Sequence, residues 1–331
     1  MECTGSPALY IHLRLLARSV NENPFPVCVP ARVAGQTLEA HRADAFPNTS
    51  DDAVRWKSAA MAGNTIAAAG GTVNDFMFRE VQRLGKRLFR LGLSGSFELG
   101  EAGCREALER VQYVFWSPRM KGLTIALRDA LARDRERYAV SAGPLLGYFP
   151  GALRRAAEGA LRTLAVDYVD VFQLYWLGRM SALTGAVQEE LVKLREEGKV
   201  RAVGVSIHNR PRAGKLAEGS ILDLLMIRYN AAHTGAEREI FPHLSRRRPA
   251  VIAYTATAWR RLLRAPRGWQ GRVPTAGDCY RFCLTSPHVD IVLTGPRNVV
   301  ELRENLAALE KGPLSPEEMV GLREFGNAVH G

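Results

Sequence analysis

An alternation of strand-like and helix-like segments, repeated eight times from Arg87 onward, constrains the fold of this chain more than any other feature. Short apolar runs predict buried strands, and apolar residues at helical spacing predict the helices between them. The predicted strands are 87–93, 111–115, 139–142, 168–175, 200–205, 222–228, 250–254 and 289–293. The predicted helices are 105–110, 122–138, 150–163, 183–197, 212–218, 236–244, 275–284 and 300–309. Eight such units over about 225 residues predict an α/β fold of the (β/α)8 TIM-type barrel class.

The main competing fold is a doubly wound sheet that binds a dinucleotide at a glycine-rich turn. No Gly-x-Gly-x-x-Gly sequence follows any predicted strand, and residues 92–97 have the wrong spacing for one. The barrel is therefore favoured. Functional side chains are expected at the carboxyl ends of its strands.

Residues 1–85 lack the alternation and are interpreted as an N-terminal extension that precedes a barrel domain at 86–331. Four prolines fall between residues 20 and 52 without periodicity, and residues 58–71 are rich in Ala and Gly. Such composition is typical of a largely disordered, poorly packed segment. One helix is predicted in it, near Val73 to Leu84.

Composition is typical of a soluble globular protein, with 47% hydrophobic and 24% charged residues and no apolar run long enough to predict a membrane span. The five scattered cysteines favour a reducing compartment, so a cytoplasmic location is expected. The net charge of +11 raises the question of nucleic acid. Because the basic residues lie mostly in helix-like stretches without interleaved aromatics, a small-molecule partner with a phosphate is favoured over nucleic acid. The oligomeric state is left open.

Six motifs, in order along residues 87–310, resemble those of the aldo-keto reductase family. They are RLGL (90–93), DYVD (167–170), GKVRAVGVS (198–206), RYN (228–230), VIAYT (251–255) and LTGPRN (293–298) followed by Glu304 and Asn305. The resemblance implies an NADP(H)-dependent oxidoreductase. It also implies that the nicotinamide lies across the barrel mouth and the adenine 2′-phosphate near strand eight.

The end of strand eight is the candidate site for the adenosine half of the cofactor. Gly295 permits close backbone approach, and Arg297 offers a forked donor for phosphate. Asn298 suits the cap of a helix whose free N–H groups bind an anion. Glu304 and Asn305 follow within two helical turns, where they can reach the adenosine. The alternative interpretation is an ordinary surface cap.

The nicotinamide half of the site is less complete. Ser206 is the expected amide contact, but its usual Asn neighbour is Ile207, and the family's strand-six Gln is Met226. Tyr254 is expected to stack on the ring, with a core tyrosine as the equal alternative. Thr255 is expected to line a groove for the pyrophosphate.

All four catalytic positions of the family are replaced in this chain. The family uses a Tyr proton donor tuned by Lys and Asp, and a His that orients the carbonyl. The matching positions hold Trp116 for Asp, Lys121 for Tyr, Gly143 for Lys and Tyr175 for His. The usual reduction therefore needs a substitute proton donor.

Three residues are the candidates for substitute chemistry. Lys121 can act as donor if it is desolvated, and Tyr175 can do so with Arg119 or Lys121 as its activator. His208 follows strand five and is a further catalytic candidate. The alternative is that Trp116 fills the space of the missing Asp–Lys pair while Lys121 faces water.

His208 and His233 follow adjacent strands, but the sequence offers no third ligand, so no metal site is predicted. Three functions remain open. The first is an NADP(H)-dependent oxidoreductase that acts on a small carbonyl or hydroxyl compound with a non-standard proton donor. The second is a catalytically silent barrel, a pseudoenzyme that binds NADPH or another ligand as a sensor or partner protein. The third is a cofactor-free lyase or isomerase that uses His208, His233 and Lys121.

Overall fold

The computed structural model describes residues 73–94 and 99–330, and in them the predicted (β/α)8 barrel is confirmed. The strands are β1 (Phe78–Val81), β2 (Lys86–Phe89), β3 (Leu91–Ser94), β4 (Tyr113–Phe115), β5 (Ala139–Ala142), β6 (Val169–Leu174), β7 (Val200–Ile207), β8 (Leu224–Arg228), β9 (Ala250–Tyr254) and β10 (Ile291–Thr294). β1 and β2 form an antiparallel hairpin. The other eight strands are parallel and close in the order β10-β3-β4-β5-β6-β7-β8-β9.

The helices follow the barrel strands in the expected alternation. They are α1 (Val73–Met77), α2 (Gly100–Arg110), α3 (Lys121–Arg133), α4 (Pro150–Leu164), α5 (Gly185–Glu196), α6 (Arg210–Glu218), α7 (Ala236–Glu239), α8 (Ala276–Thr285), α9 (Val299–Ala308) and α10 (Pro316–His330). Short 3₁₀ turns cover 82–84, 241–244, 261–263 and 309–311. Among these helices, none is long and apolar enough to cross a membrane.

Local sequence signals explain where several helices begin. Pro150 occupies the first turn of α4, where its missing N–H costs nothing. The side chain of Asn209 caps α6, and that of Asn298 caps α9. Thr275 and Asp278 form a reciprocal capping box at the start of α8. The helices thus start directly after the loops that follow the strands, and these loops surround the barrel mouth.

Two apolar clusters form the core. The larger one lies between the strands and the surrounding helices. The smaller one lies inside the barrel, where alternate strand residues such as Val171, Leu224 and Ile252 point inward. Val81 and Leu88 of the hairpin belong to this inner cluster. The hairpin therefore closes the amino-terminal end of the barrel and leaves the carboxyl-terminal end as the mouth.

The start of the barrel differs from the sequence-based prediction. The predicted strand 87–93 is two strands that separate at Arg90, because this buried guanidinium donates to the carbonyl oxygens of Leu284, Val289 and Asp290. The helix predicted near Val73 to Leu84 ends at Met77 and gives way to the hairpin. The C-terminal helix α10 was not predicted. Of the extension 1–85 that was predicted to be largely disordered, residues 73–84 instead form α1, β1 and a 3₁₀ turn, and residues 1–72 lie outside the described residues.

Candidate active site at the barrel mouth

A tyrosine and a histidine meet at the carboxyl ends of neighbouring strands. The Tyr254 hydroxyl, at the end of β9, lies 2.8 Å from Nε2 of His208, which directly follows β7. Arg228, the last residue of β8, pairs in register with Tyr254 and therefore lies between the two strand ends. The indole ring of Trp176 packs 5.7 Å from the His208 ring. These four side chains form one polar and aromatic cluster at the mouth, called the mouth cluster below.

The charges around this cluster keep His208 neutral. Burial lowers the pKa of His208 to about 4, and the cations Arg228 and Arg179 add to the effect. In the neutral tautomer that carries its proton on Nδ1, Nε2 of His208 accepts from the Tyr254 hydroxyl. Burial raises the pKa of Tyr254, while Arg228 and the Trp176 indole oppose that rise. The cluster therefore holds a protonated phenol, oriented by an imidazole and faced by a cation.

Tyr175, in the position of the family's histidine, lies in a different environment. Its hydroxyl is buried and has no hydrogen-bond partner among the described residues. Its ring packs 5.3 Å from the ring of Phe115. Burial and the nearby Tyr113 both raise the pKa of Tyr175. No cation among the described residues offsets this rise, so the structure supplies no activator for Tyr175 of the kind expected from Arg119 or Lys121.

Lys121 and Trp116 occupy positions outside the barrel interior. Lys121 is the first residue of α3 and is exposed. Trp116 is buried in the outer cluster between strands and helices, where its indole N–H donates to Thr124 at 3.0 Å. Trp116 therefore packs outside the barrel interior, whereas Tyr113 and Phe115, on the inward face of β4, point into the barrel.

Gly143 directly follows β5 and lies against Tyr175. A Cβ atom at this position would come within 3.0 Å of Tyr175 Cζ and within 1.9 Å of the Gln173 carbonyl oxygen. The position that the sequence motif aligns with the family's lysine therefore has no room for a side chain unless its neighbours move.

The residues proposed for the nicotinamide half have the following contacts. Ser206 is buried in β7, and its Oγ accepts from the Trp176 backbone N–H at 2.8 Å, which leaves the hydroxyl proton for another acceptor. Thr255 has a left-handed backbone, with φ 55°, and its hydroxyl donates to the Tyr254 carbonyl. The Thr255 carbonyl in turn accepts from the buried amide of Asn230. The chain therefore turns sharply at the end of β9.

At the end of β10, two arginines converge on one carboxylate. Arg297 donates to Oε1 of Glu301 through Nε and Nη2, at 3.0 and 2.6 Å, and Arg260 reaches the same oxygen at 3.4 Å. These contacts lower the pKa of Glu301 to about 2. The predicted cap is present, since Asn298 Oδ1 accepts from the Glu301 N–H. Gly295 is exposed, and a Cβ atom there would meet only the Ser94 carbonyl oxygen, at 3.8 Å.

The last two predicted cofactor residues differ in exposure. Glu304 is exposed on α9. Asn305 is buried, and its amide donates to the Thr294 hydroxyl at 3.1 Å. Asn305 thus fixes α9 against β10, while Glu304 remains accessible.

His233 makes its hydrogen bond and its ring contact outside the mouth cluster, although the charge of Arg228 acts on it. Its Nδ1 lies 3.0 Å from Asn230 Oδ1, and its ring packs 5.1 Å from that of His330. Burial and nearby cations lower the pKa of His233 to about 4. Within the described residues, no group of three or more His, Cys, Asp or Glu side chains is arranged to hold a metal ion. No contact joins His208, His233 and Lys121, the set expected for lyase or isomerase chemistry.

Comparison with known proteins agrees with the barrel and its mouth. Residues 143–265, from Gly143 through the loop after β9, match the model of the Aldo/keto reductase family. The barrel is of the aldo-keto reductase type. The resemblance to this family that the sequence predicts is therefore confirmed over these residues, and the fold is confirmed over the barrel. The matched segment contains the whole mouth cluster.

Relatives of this aldo-keto reductase barrel are distant in sequence. The NADH-specific methylglyoxal reductase of Escherichia coli (strain K12) is 24% identical over 216 residues, which cover 54% of this chain and 66% of that protein. The holo form of an aldo-keto reductase from Bacillus halodurans aligns with a TM-score of 0.64 at 19% identity, over 75% of this chain and 95% of that one. An aldo/keto reductase from Klebsiella pneumoniae, in complex with NADP and acetate, aligns with a TM-score of 0.59 at 21% identity, over 73% of this chain and 93% of that one.

Sequence reasoning missed two residues of the aldo-keto reductase mouth. Arg228 was named only as part of the motif RYN and was given no role of its own. Strand alternation from Leu224 predicts that its side chain points inward. Glu301 follows Arg297 by four residues, a spacing at which oppositely charged side chains pair on a helix. The contact between Tyr254 and His208 had no sequence signal, because it joins two strands that are not neighbours in the sheet.

Proposed function

We propose that this chain is an oxidoreductase of the aldo-keto reductase type that binds NADP(H), reduces a small carbonyl compound and takes the proton from Tyr254. One observation carries the proposal. The Tyr254 hydroxyl is hydrogen-bonded to His208 at 2.8 Å in the mouth of a barrel that matches the family model. The names of the relatives support the class, since one is a methylglyoxal reductase and another binds NADP.

Tyr254 is a better proton donor than the residues suggested by sequence position. A donor must hold its proton at neutral pH and release it to the alkoxide that forms on the substrate. Arg228 favours the tyrosinate of Tyr254, whereas no described cation does so for Tyr175. Lys121 is exposed at the start of α3, where no contact directs it into the barrel.

The residues at the end of β10 fit a nucleotide phosphate. Arg260 and Arg297 both contact the carboxylate of Glu301, so their N–H donors are arranged to bind an oxyanion. The Glu301 carboxylate occupies the position that we propose for the phosphate. The capped start of α9 adds backbone N–H groups beside them. Ser206 has a free hydroxyl proton for the carboxamide of the nicotinamide. When bound, a reduced nicotinamide supplies the hydride.

The residues of this chain account for the proton half of the reaction. As the carbonyl carbon of the substrate gains the hydride, the carbonyl oxygen takes the proton of the Tyr254 hydroxyl. His208 orients this hydroxyl before transfer, and Arg228 stabilises the tyrosinate that remains. Solvent at the open mouth returns a proton to Tyr254. The carbonyl is reduced to an alcohol by one hydride, which carries two electrons and a proton, and by the one proton from Tyr254.

The test has two stages. Quenching of tryptophan fluorescence by NADPH first measures cofactor binding to the full chain, and absence of binding rejects the proposal. A panel of small carbonyl compounds is then scored by loss of the absorbance of reduced nicotinamide. We expect Tyr254→Phe to lower kcat by about a hundredfold or more. A similar loss in Tyr175→Phe, with Tyr254→Phe unaffected, would assign the donor to Tyr175 instead.

A specific observation favours the silent, ligand-binding barrel as the second candidate. The contact between Gly143 and Tyr175 occupies the region where the family places its lysine and histidine. Under this alternative NADPH binds, but no carbonyl compound of the panel is reduced. The same two stages therefore separate the two candidates.

A further inference from the structure

Arg228 points into the barrel mouth from the end of β8. Leu224 and Met226, at alternate positions of the same strand, belong to the inner apolar cluster, so Arg228 shares their inward direction. Its side chain is half-buried, and burial lowers its pKa. A cation in such a place is costly unless a negative group accompanies it.

No carboxylate of residues 73–94 and 99–330 forms an ion pair with Arg228. Other cations also act on this region, since Arg210 lowers the pKa of Arg228, while Arg228 and Arg179 both lower that of His208. Arg210 has its own carboxylate partner in Glu239. The mouth between β7 and β9 is therefore a region of positive charge that the described side chains do not neutralise.

We infer that Arg228 binds a carboxylate of the substrate, so that the substrate is a short oxo acid rather than a neutral carbonyl compound. A guanidinium holds a carboxylate through two parallel hydrogen bonds. These bonds use two of the five N–H donors of the guanidinium, so the same side chain can also stabilise the tyrosinate of Tyr254. The statement that the bound acid carries a carbonyl group to be reduced rests on the proposed function, whereas the binding of a carboxylate by Arg228 does not.

The spacing of the mouth cluster limits the length of the oxo acid. Arg228 and Tyr254 are register partners on neighbouring strands, and such strands lie about 5 Å apart. The proposal therefore places the carboxylate at Arg228 and the carbonyl oxygen at Tyr254 within one short molecule. A 2-oxo or 3-oxo acid matches this separation.

The test measures anion binding without cofactor, on the full chain. Pyruvate is titrated by calorimetry, with methyl pyruvate as the neutral match of the same shape. We expect pyruvate to bind and the ester to bind at least tenfold more weakly. Arg228→Met should weaken pyruvate binding by about tenfold or more, and Arg228→Lys by less. Arg128→Met, which removes an exposed arginine from α3, is the control and should bind pyruvate as the parent protein does.

A second readout follows His208 by NMR and confirms that the variants are folded. Bound carboxylate should raise the pKa of His208 above its value of about 4, and Arg228→Met should raise it without ligand. Equal binding of acid and ester, or unchanged pyruvate affinity in Arg228→Met, overturns the assignment. A second outcome also overturns the assignment: pyruvate fails to bind, and Arg228→Met weakens NADPH binding. In that case the anion that Arg228 binds is the pyrophosphate of the cofactor. Failure of the carbonyl panel leaves these binding results intact.

Discussion

The ring of Tyr175 lies against Gly143, where a Cβ atom would approach Tyr175 Cζ to 3.0 Å. The sequence motifs align these two residues with the histidine and lysine of the family, so a side chain at one position affects the space at the other. The Gln173 carbonyl oxygen, 1.9 Å from the same hypothetical Cβ, adds a barrier in the backbone itself. Restoring the lysine alone therefore cannot restore the family's catalytic set.

Gly143→Ala should destabilise the barrel by about 3 kcal/mol, because the backbone of β6 has to move to admit the new methyl group. Urea unfolding measures the change. Gly159→Ala, at a helical position of α4 with open space around it, is the matched control and should stabilise by about 0.5–1 kcal/mol. A neutral Gly143→Ala would show that the contact with Gln173 is readily relaxed.

Asp170→Asn should lower the free energy of unfolding by about 3 kcal/mol. The buried carboxylate lies 3.1 Å from Lys86 and 2.8 Å from Arg135, and it accepts from the Val140 N–H. Its loss leaves two cations without their buried partner. Glu136→Gln removes a largely exposed carboxylate from the same group and should cost less than about 1 kcal/mol. Equal effects in the two variants would contradict the structural role of Asp170.

The sequence was sufficient to predict the barrel, because strand and helix signals alternate with little interruption. The strands 139–142 and 250–254 were predicted with the bounds that the structure gives them. The hairpin before β3 was missed, since its apolar residues merge with the strand that follows. Arg90 interrupts that run, and only the tertiary contacts of its guanidinium show why the strand ends there.

The candidate site was less predictable than the barrel. The ends of the strands were expected to carry the functional residues, and His208 and Tyr254 do lie there. Their contact depends on barrel closure and register, which place residues 46 positions apart at hydrogen-bond distance. The outward direction of Trp116 follows from the register of β4, which motif alignment does not specify.

Acidification from about pH 7 to about pH 5 should lower the free energy of unfolding. His208 and His233 have a folded-state pKa of about 4, below the ordinary value of 6.5. Between these values the unfolded chain binds protons that the folded chain does not, so stability is lost as pH falls. Each histidine contributes on the order of 1 kcal/mol after allowance for solvent screening. Urea unfolding at both pH values measures the loss, which should shrink in the His208→Gln, His233→Gln double variant.

Glu301→Gln should tighten NADPH binding by several-fold and leave NADH binding unchanged. The carboxylate now occupies both Arg297 and Arg260, and it repels a phosphate that approaches them. Arg297→Ala should weaken NADPH binding by about tenfold, because one charge-assisted contact to the 2′-phosphate is lost. Fluorescence titration with both nucleotides measures these changes, and NADH serves as the internal control because it lacks the 2′-phosphate. A parallel gain for NADH in Glu301→Gln would locate the effect in the cap of α9 rather than in the phosphate site.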